Sequence, residues 1–131
     1  MSILYEKKAS GSIEQVGERL QRAAAEHDFG VLGIVDIKEK MNSKGVEFGP
    51  ECRIYEVCHP ERAKRVLEKR LEISTALPCR ISLYERDGAV TVSTMLPTLM
   101  LDMFGEPELR PVAESVESDI KAIIDDTVAT G

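Results

Sequence analysis

The sequence predicts an α+β domain of two layers, a mixed five-stranded sheet with helices packed on one face, in the order βαββαββα. Three observations predict it. Short apolar-alternating runs recur between helical stripes, every stripe is apolar on one side only, and an Asp-Gly pair joins two runs in hairpin register. A chain of 131 residues fits one domain, residues 1–131, because a core of that size buries roughly two thirds of the unfolded surface.

The first strand alternates Ile3, Tyr5 and Lys7 against Leu4 and Glu6, and Gly11 ends it. Ser12 with Gln15 then forms a capping box for a helix running to about His27. Its buried stripe is Ile13, Val16, Leu20, Ala23 and Ala24, and His27 closes its C-terminus. Gly30 to Ile37 is almost entirely apolar, as expected of a central strand covered by partners, with Gly33 marking a close approach. Residues 38–50 hold three chain breakers and are expected to form a surface excursion, a candidate lid.

Glu51 to Cys58 alternates again, with Cys52, Ile54, Glu56 and Cys58 on one side and Arg53, Tyr55 and Val57 on the other. Pro60 starts a second helix, expected to reach Glu72 on a stripe of Ala63, Val66, Leu67 and Leu71. With the strand opened by Pro78, this unit reads as a βαβ-like crossover. Asp87-Gly88 is a two-residue hairpin signal that pairs Arg86 with Ala89 and Leu83 with Val92. Residues 96–105 are too apolar for a plain connection and must be buried or serve as an interface, so they motivate a homodimer. A last helix from about Pro107 carries Leu109, Val112, Ala113, Val116, Ile120, Ile123 and Ile124 inward and acids outward. If the two helices are neighbours, those acids pair with the Lys and Arg side chains of the second helix; otherwise both charge runs are plainly solvated, and either reading is expected over a phosphate-binding patch.

Two segments then resemble a known family. Val57-Cys58-His59-Pro60 and Leu77 to Pro97, with its Pro-Cys-Arg-Ile strand and Asp-Gly turn, resemble the small prokaryotic "domain of unknown function 302" family, loosely over the whole chain. The resemblance implies a two-layer fold of the TATA-binding-protein architecture, without its DNA-binding function. It implies no catalytic residues and no cofactor. Where the family usually has Asn before this proline the chain has His59, and His is the poorer helix cap.

Composition narrows the function classes. With 17 basic against 23 acidic residues the net charge is −6, which repels phosphate backbones and anionic membranes, so neither nucleic acid nor membrane is an expected partner. Trp is absent and three Tyr and three Phe are the only aromatics, which disfavours base stacking. No apolar run is long enough for a membrane span or a signal peptide, which places the protein in the cytoplasm.

Cys52, Cys58 and Cys79 are odd in number and lack C-x-x-C spacing, as expected of reduced thiols. Cys52 and Cys58 stand roughly 20 Å apart along an extended strand, too far to share a metal. If the flanking strands run parallel, Cys79 approaches Cys52. Cys58 ends a strand at a helix N-terminus, where the helix dipole favours a thiolate, making it the candidate nucleophile. His59 points to the other face, so sequence adjacency makes no Cys-His dyad. The same N-terminus, with Arg53 or Arg80 near it, suits a small anion or metabolite. Glu56 shares the Cys58 face and either transfers protons or pairs with an Arg.

The candidate site is therefore Cys58, His59, Arg53, Arg80 and Glu56, with no metal and no cofactor. The leading expectation is a homodimeric small-ligand or anion-binding domain. The alternatives are a thiol-dependent sulfur or redox protein using Cys58, and an interaction module whose acidic last helix docks a basic partner.

Overall fold

A computed structural model describes residues 2–129. Five strands form one sheet in the order β1-β5-β4-β3-β2: β1 Leu4–Ala9, β2 Gly30–Asp36, β3 Cys52–Cys58, β4 Cys79–Arg86 and β5 Ala89–Met95. Every neighbouring pair is antiparallel, which corrects the expected mixed sheet. The reason lies between β3 and β4. Helix α3, Pro60–Lys69, is followed by a 3-10 turn over Leu71–Ala76. That turn doubles the chain back, so it re-enters the sheet at the end it left. The segment is a lobe at one end of the sheet and not a parallel crossover. The second helix accordingly stops short of Glu72, and Leu71 is 72% exposed, outside the stripe assigned to it.

Helix α1, Ile13–Glu26, opens with the expected capping box between Ser12 and Gln15, and His27 closes it with its backbone N–H on Ala24 and Ala25. Helices α1 and α5 (Arg110–Ala129) lie side by side on one face of the sheet. They bury Val16, Leu20, Ile120, Ile123 and Ile124 against Tyr55, Val57, Ile81, Leu83 and Val92. The hairpin has the expected register, Arg86 opposite Ala89 and Leu83 opposite Val92. Its turn places Asp87 at φ 54° and Gly88 at φ 78°, both in the left-handed region that a type I′ turn needs.

One expectation about exposure is overturned. The apolar run at 30–37 forms the edge strand β2, not a central one, and its Leu32 and Ile34 are 65% and 46% exposed. An all-apolar run fits an edge whose helix-bearing neighbours reach only part of it. The excursion at 38–50 begins as a short helix, α2 (Ile37–Ser43), capped by the Asp36 side chain on the N–H of Glu39. The apolar segment 96–105 holds a further helix, α4 (Pro97–Asp102). Leu101 and Phe104 from this segment pack with Val66, Ile73, Leu109, Val112 and Ala113 in a second, smaller cluster. Most of its apolar surface is thus turned inward, with Met103 the exposed exception.

Candidate functional site

The corner where β3 gives way to α3 is held by three local devices. Pro60 sits at the first helical position with φ already helical. His59 precedes it in extended geometry, and its Nδ1 accepts a hydrogen bond from the N–H of Arg62 at 3.3 Å. His59 therefore does cap the helix, against the expectation from residue preference. With Nδ1 accepting, the neutral ring carries its proton on Nε2. Phe29 meets the His59 ring edge-on at 5.5 Å between centroids, which fixes the plane of the imidazole.

Beside this corner is a partly enclosed cavity of about 40 Å³. It lies on the seam between the two apolar clusters. Phe29, Val57 and Val116 belong to the larger one, while Val66 and Leu101 belong to the smaller. Ala63 from α3 and Pro97 and Met100 from α4 complete much of the apolar wall. The polar groups on it are Cys58, Cys79, His59 and Arg62. The guanidinium of Arg62 is paired with Asp119 of α5. The expected attraction between the basic second helix and the acidic last helix is seen in that pair, and Lys69 pairs with Glu108 just ahead of α5.

The candidate residues separate into three places. Cys58 and His59 line the cavity. Glu56 and Arg80 stand directly opposite each other on β3 and β4, on the face turned away from α1 and α5. Arg53 lies toward the far end of β3, surrounded by Glu14, Asp36 and Glu51 at 3.2 to 3.8 Å, so its charge is spent on three carboxylates. Antiparallel pairing sets Cys79 opposite Val57 and Cys52 opposite Tyr84. The conditional approach of Cys79 to Cys52 is thereby corrected: Cys79 neighbours Cys58.

Burial decides the state of these thiols. It pushes Cys58 above its ordinary value, opposite to the effect of the helix dipole. Cys79 is pushed from 9.0 to about 11, by burial first and by the neighbouring Cys58 second. Both are neutral thiols at pH 7. Among the described residues no group of three or more His, Cys, Asp or Glu side chains could hold a metal ion, and no helix is long and apolar enough to cross a membrane.

Sequence reasoning missed Phe29, Arg62, Ala63 and Met100 as parts of this site. A signal existed for Met100, since the apolar 96–105 segment had to pack against something. None existed for Phe29, which reaches the corner because Asp28 takes φ 63° and redirects the chain after α1.

The family described as "Domain of unknown function DUF302" matches residues 5–127. An uncharacterized protein of Aquifex aeolicus (strain VF5) is 27% identical over 127 residues, covering 93% of this chain and 82% of that protein. The crystal structure of an uncharacterized conserved DUF302 protein from Bacillus stearothermophilus superposes with a TM-score of 0.93 at 30% identity, covering 97% of this chain and 99% of that one.

Proposed function

The chain belongs to the DUF302 family, and from that premise we propose that it is a cytoplasmic, homodimeric small-molecule-binding domain. Its ligand is small, uncharged and largely apolar, and it sits at the β3–α3 corner. The observation that carries this reading is the cavity at the seam. Its walls are mostly apolar, and its volume of about 40 Å³ would take about three waters on a scale where one needs roughly 10–15 Å³. An apolar void of that size costs the fold dispersion contacts that a ligand would restore.

The lining polar groups argue against an anion. Arg62 is already paired with Asp119, and the His59 ring spends Nδ1 on the helix cap. What remains is the neutral Nε2–H of His59, a single donor suited to one carbonyl or ether oxygen on an otherwise apolar molecule. Thiol chemistry at Cys58 has in its favour that Cys58 and Cys79 line the same cavity. Burial raises both, which disfavours the thiolate that such chemistry needs.

Methyl-resolved NMR tests the reading. Titration with acetone and with isobutanol should shift the methyls of Ala63, Val66 and Leu101, while titration with sulfate should leave them in place. Ala63→Leu, which projects into the cavity, should abolish the response. Methyls that stay unmoved by either organic probe would refute the pocket as a binding site.

A further inference from the structure

The face of the sheet opposite α1 and α5 is not simply polar, and Met100 of α4 reaches one end of it. Leu4 of β1, Met95 of β5 and Ile54 of β3 flank a groove of about 260 Å³ whose floor includes Ser82 and Ser93. Ser93 is only 5% exposed and Leu4 and Met95 are 37% and 43% exposed, so larger apolar side chains rise on either side of a low polar floor. Beside this groove the register sets an acid opposite a base: Glu56 and Arg80 face each other across β3 and β4.

They form no ion pair with each other or with any other described residue. Glu56 turns away toward β2, with Oε1 3.0 Å from where a Cβ on Gly33 would stand. A Cβ there would sit tightly against that carboxylate. Arg80 is exposed at the edge of the groove.

We propose that a second copy of this chain seats on this open face, related by a two-fold axis, with Glu56 of each copy meeting Arg80 of the other. The proposal rests on the homodimer reading above and supplies its interface. A two-fold contact is self-complementary, so a residue i that meets j is matched by j meeting i. Adjacent opposite charges, both without partners, satisfy that condition, whereas a partner of one sign would satisfy only one of them.

Area points the same way. Five strands about 4.8 Å apart and about 20 Å long present roughly 500 Å² of flat sheet per copy, hence roughly 1,000 Å² for two before side-chain relief is added. That is the lower end of what specific dimers bury. The sheet edges are poorer sites. The β2 edge is broken by a bulge between Val31 and Gly33, and β1 carries Glu6, Lys7 and Lys8 in succession; both devices discourage strand addition. The groove also shares Pro78 and Met100 with the corner cavity, so a copy seated here would press on one wall of the ligand site.

Sedimentation velocity from micromolar to submillimolar concentration tests this, with circular dichroism confirming that each variant is folded. The wild type should dimerise. Glu56→Arg and Arg80→Glu should each weaken the dimer by at least ~10-fold, since two like-charge contacts replace two favourable ones. The double variant, with the charges exchanged, should regain most of the wild-type association. A wild type that remains monomeric throughout would overturn both the homodimer and this interface. A dimer indifferent to both single reversals, or one that the exchange fails to restore, would overturn this interface alone and leave the homodimer to another surface. Neither result bears on the NMR test of the cavity, so failure of the ligand reading stays separately visible.

Discussion

The apolar cluster under α1 and α5 and the seam where it meets the cluster of α3 and α4 treat space in opposite ways. Under α1 there is none to spare. Gly17 stands in mid-helix because Tyr55 passes over it: a Cβ there would run into the Tyr55 hydroxyl and lie 3.1 Å from Cζ. At the seam, the small side chain of Ala63 leaves room, and a cavity of about 40 Å³ remains. One region gives up helix propensity to admit a bulky side chain, and the other gives up contacts to keep a void. The first pattern serves stability, and the second costs stability without an occupant, which is the physical basis for reading the seam as a binding site.

The sharpest way to break this contrast is to enlarge a small residue in each region. In isolation Gly17→Ala should favour the helix by about 1 kcal/mol. Against Tyr55 it should instead destabilise by roughly 2–3 kcal/mol, the usual range for overpacking, and Tyr55→Phe should recover part of the loss. Urea unfolding of the single and double variants checks both.

The next effect is on pH dependence. Cys79 stays a thiol to about pH 11 when folded, against 9.0 ordinarily. Below pH 9 both the folded and unfolded chains hold that proton and stability is complete. Between 9 and 11 only the unfolded chain releases it, so stability should fall by about 2 kcal/mol across that window, at about 1.4 kcal/mol per pKa unit. Cys79→Ala should flatten the decline, and an equally steep decline in that variant would assign it to other groups.

A smaller effect is expected at the rim. His59→Ala removes a helix cap and should cost about 1 kcal/mol, whereas His59→Asn should match or exceed the wild type. Thermal unfolding of the three proteins ranks them. Smallest of all, Ala63→Leu should change stability by less than about 0.5 kcal/mol, because lost side-chain freedom offsets new contacts in the void. A loss comparable to that of Gly17→Ala would show the seam to be as full as the core.

Much of this architecture is written in local pattern. The Ser12–Gln15 capping box, the β3 alternation and the Asp87-Gly88 register depend on near neighbours in the chain, and each stands where the periodicity puts it. What escaped is what depends on direction through space. Whether β3 and β4 run parallel is set by the doubling-back at Leu71–Ala76, a short 3-10 turn with no periodic signature. From that one reversal follow the neighbours of Cys79, while the pairing of β1 with β5 leaves β2 at an edge. For the site, the turn from extended to helical at Cys58 was legible, and so was the importance of His59. The closing wall was not, since Phe29 and Met100 arrive from elements remote in the chain.

The pairing of β1 with β5, Leu4 opposite Met95 and Ala9 opposite Val90, bears on how the molecule is made. On a ribosome adding roughly 5–20 residues per second, the first strand must wait several seconds before its neighbour β5 exists. The last helix, which holds Tyr5 through a 2.7 Å hydrogen bond to Asp125, comes later still. During that wait Glu6, Lys7 and Lys8 act as gatekeepers, keeping an unpaired, aggregation-prone strand charged until its partner emerges.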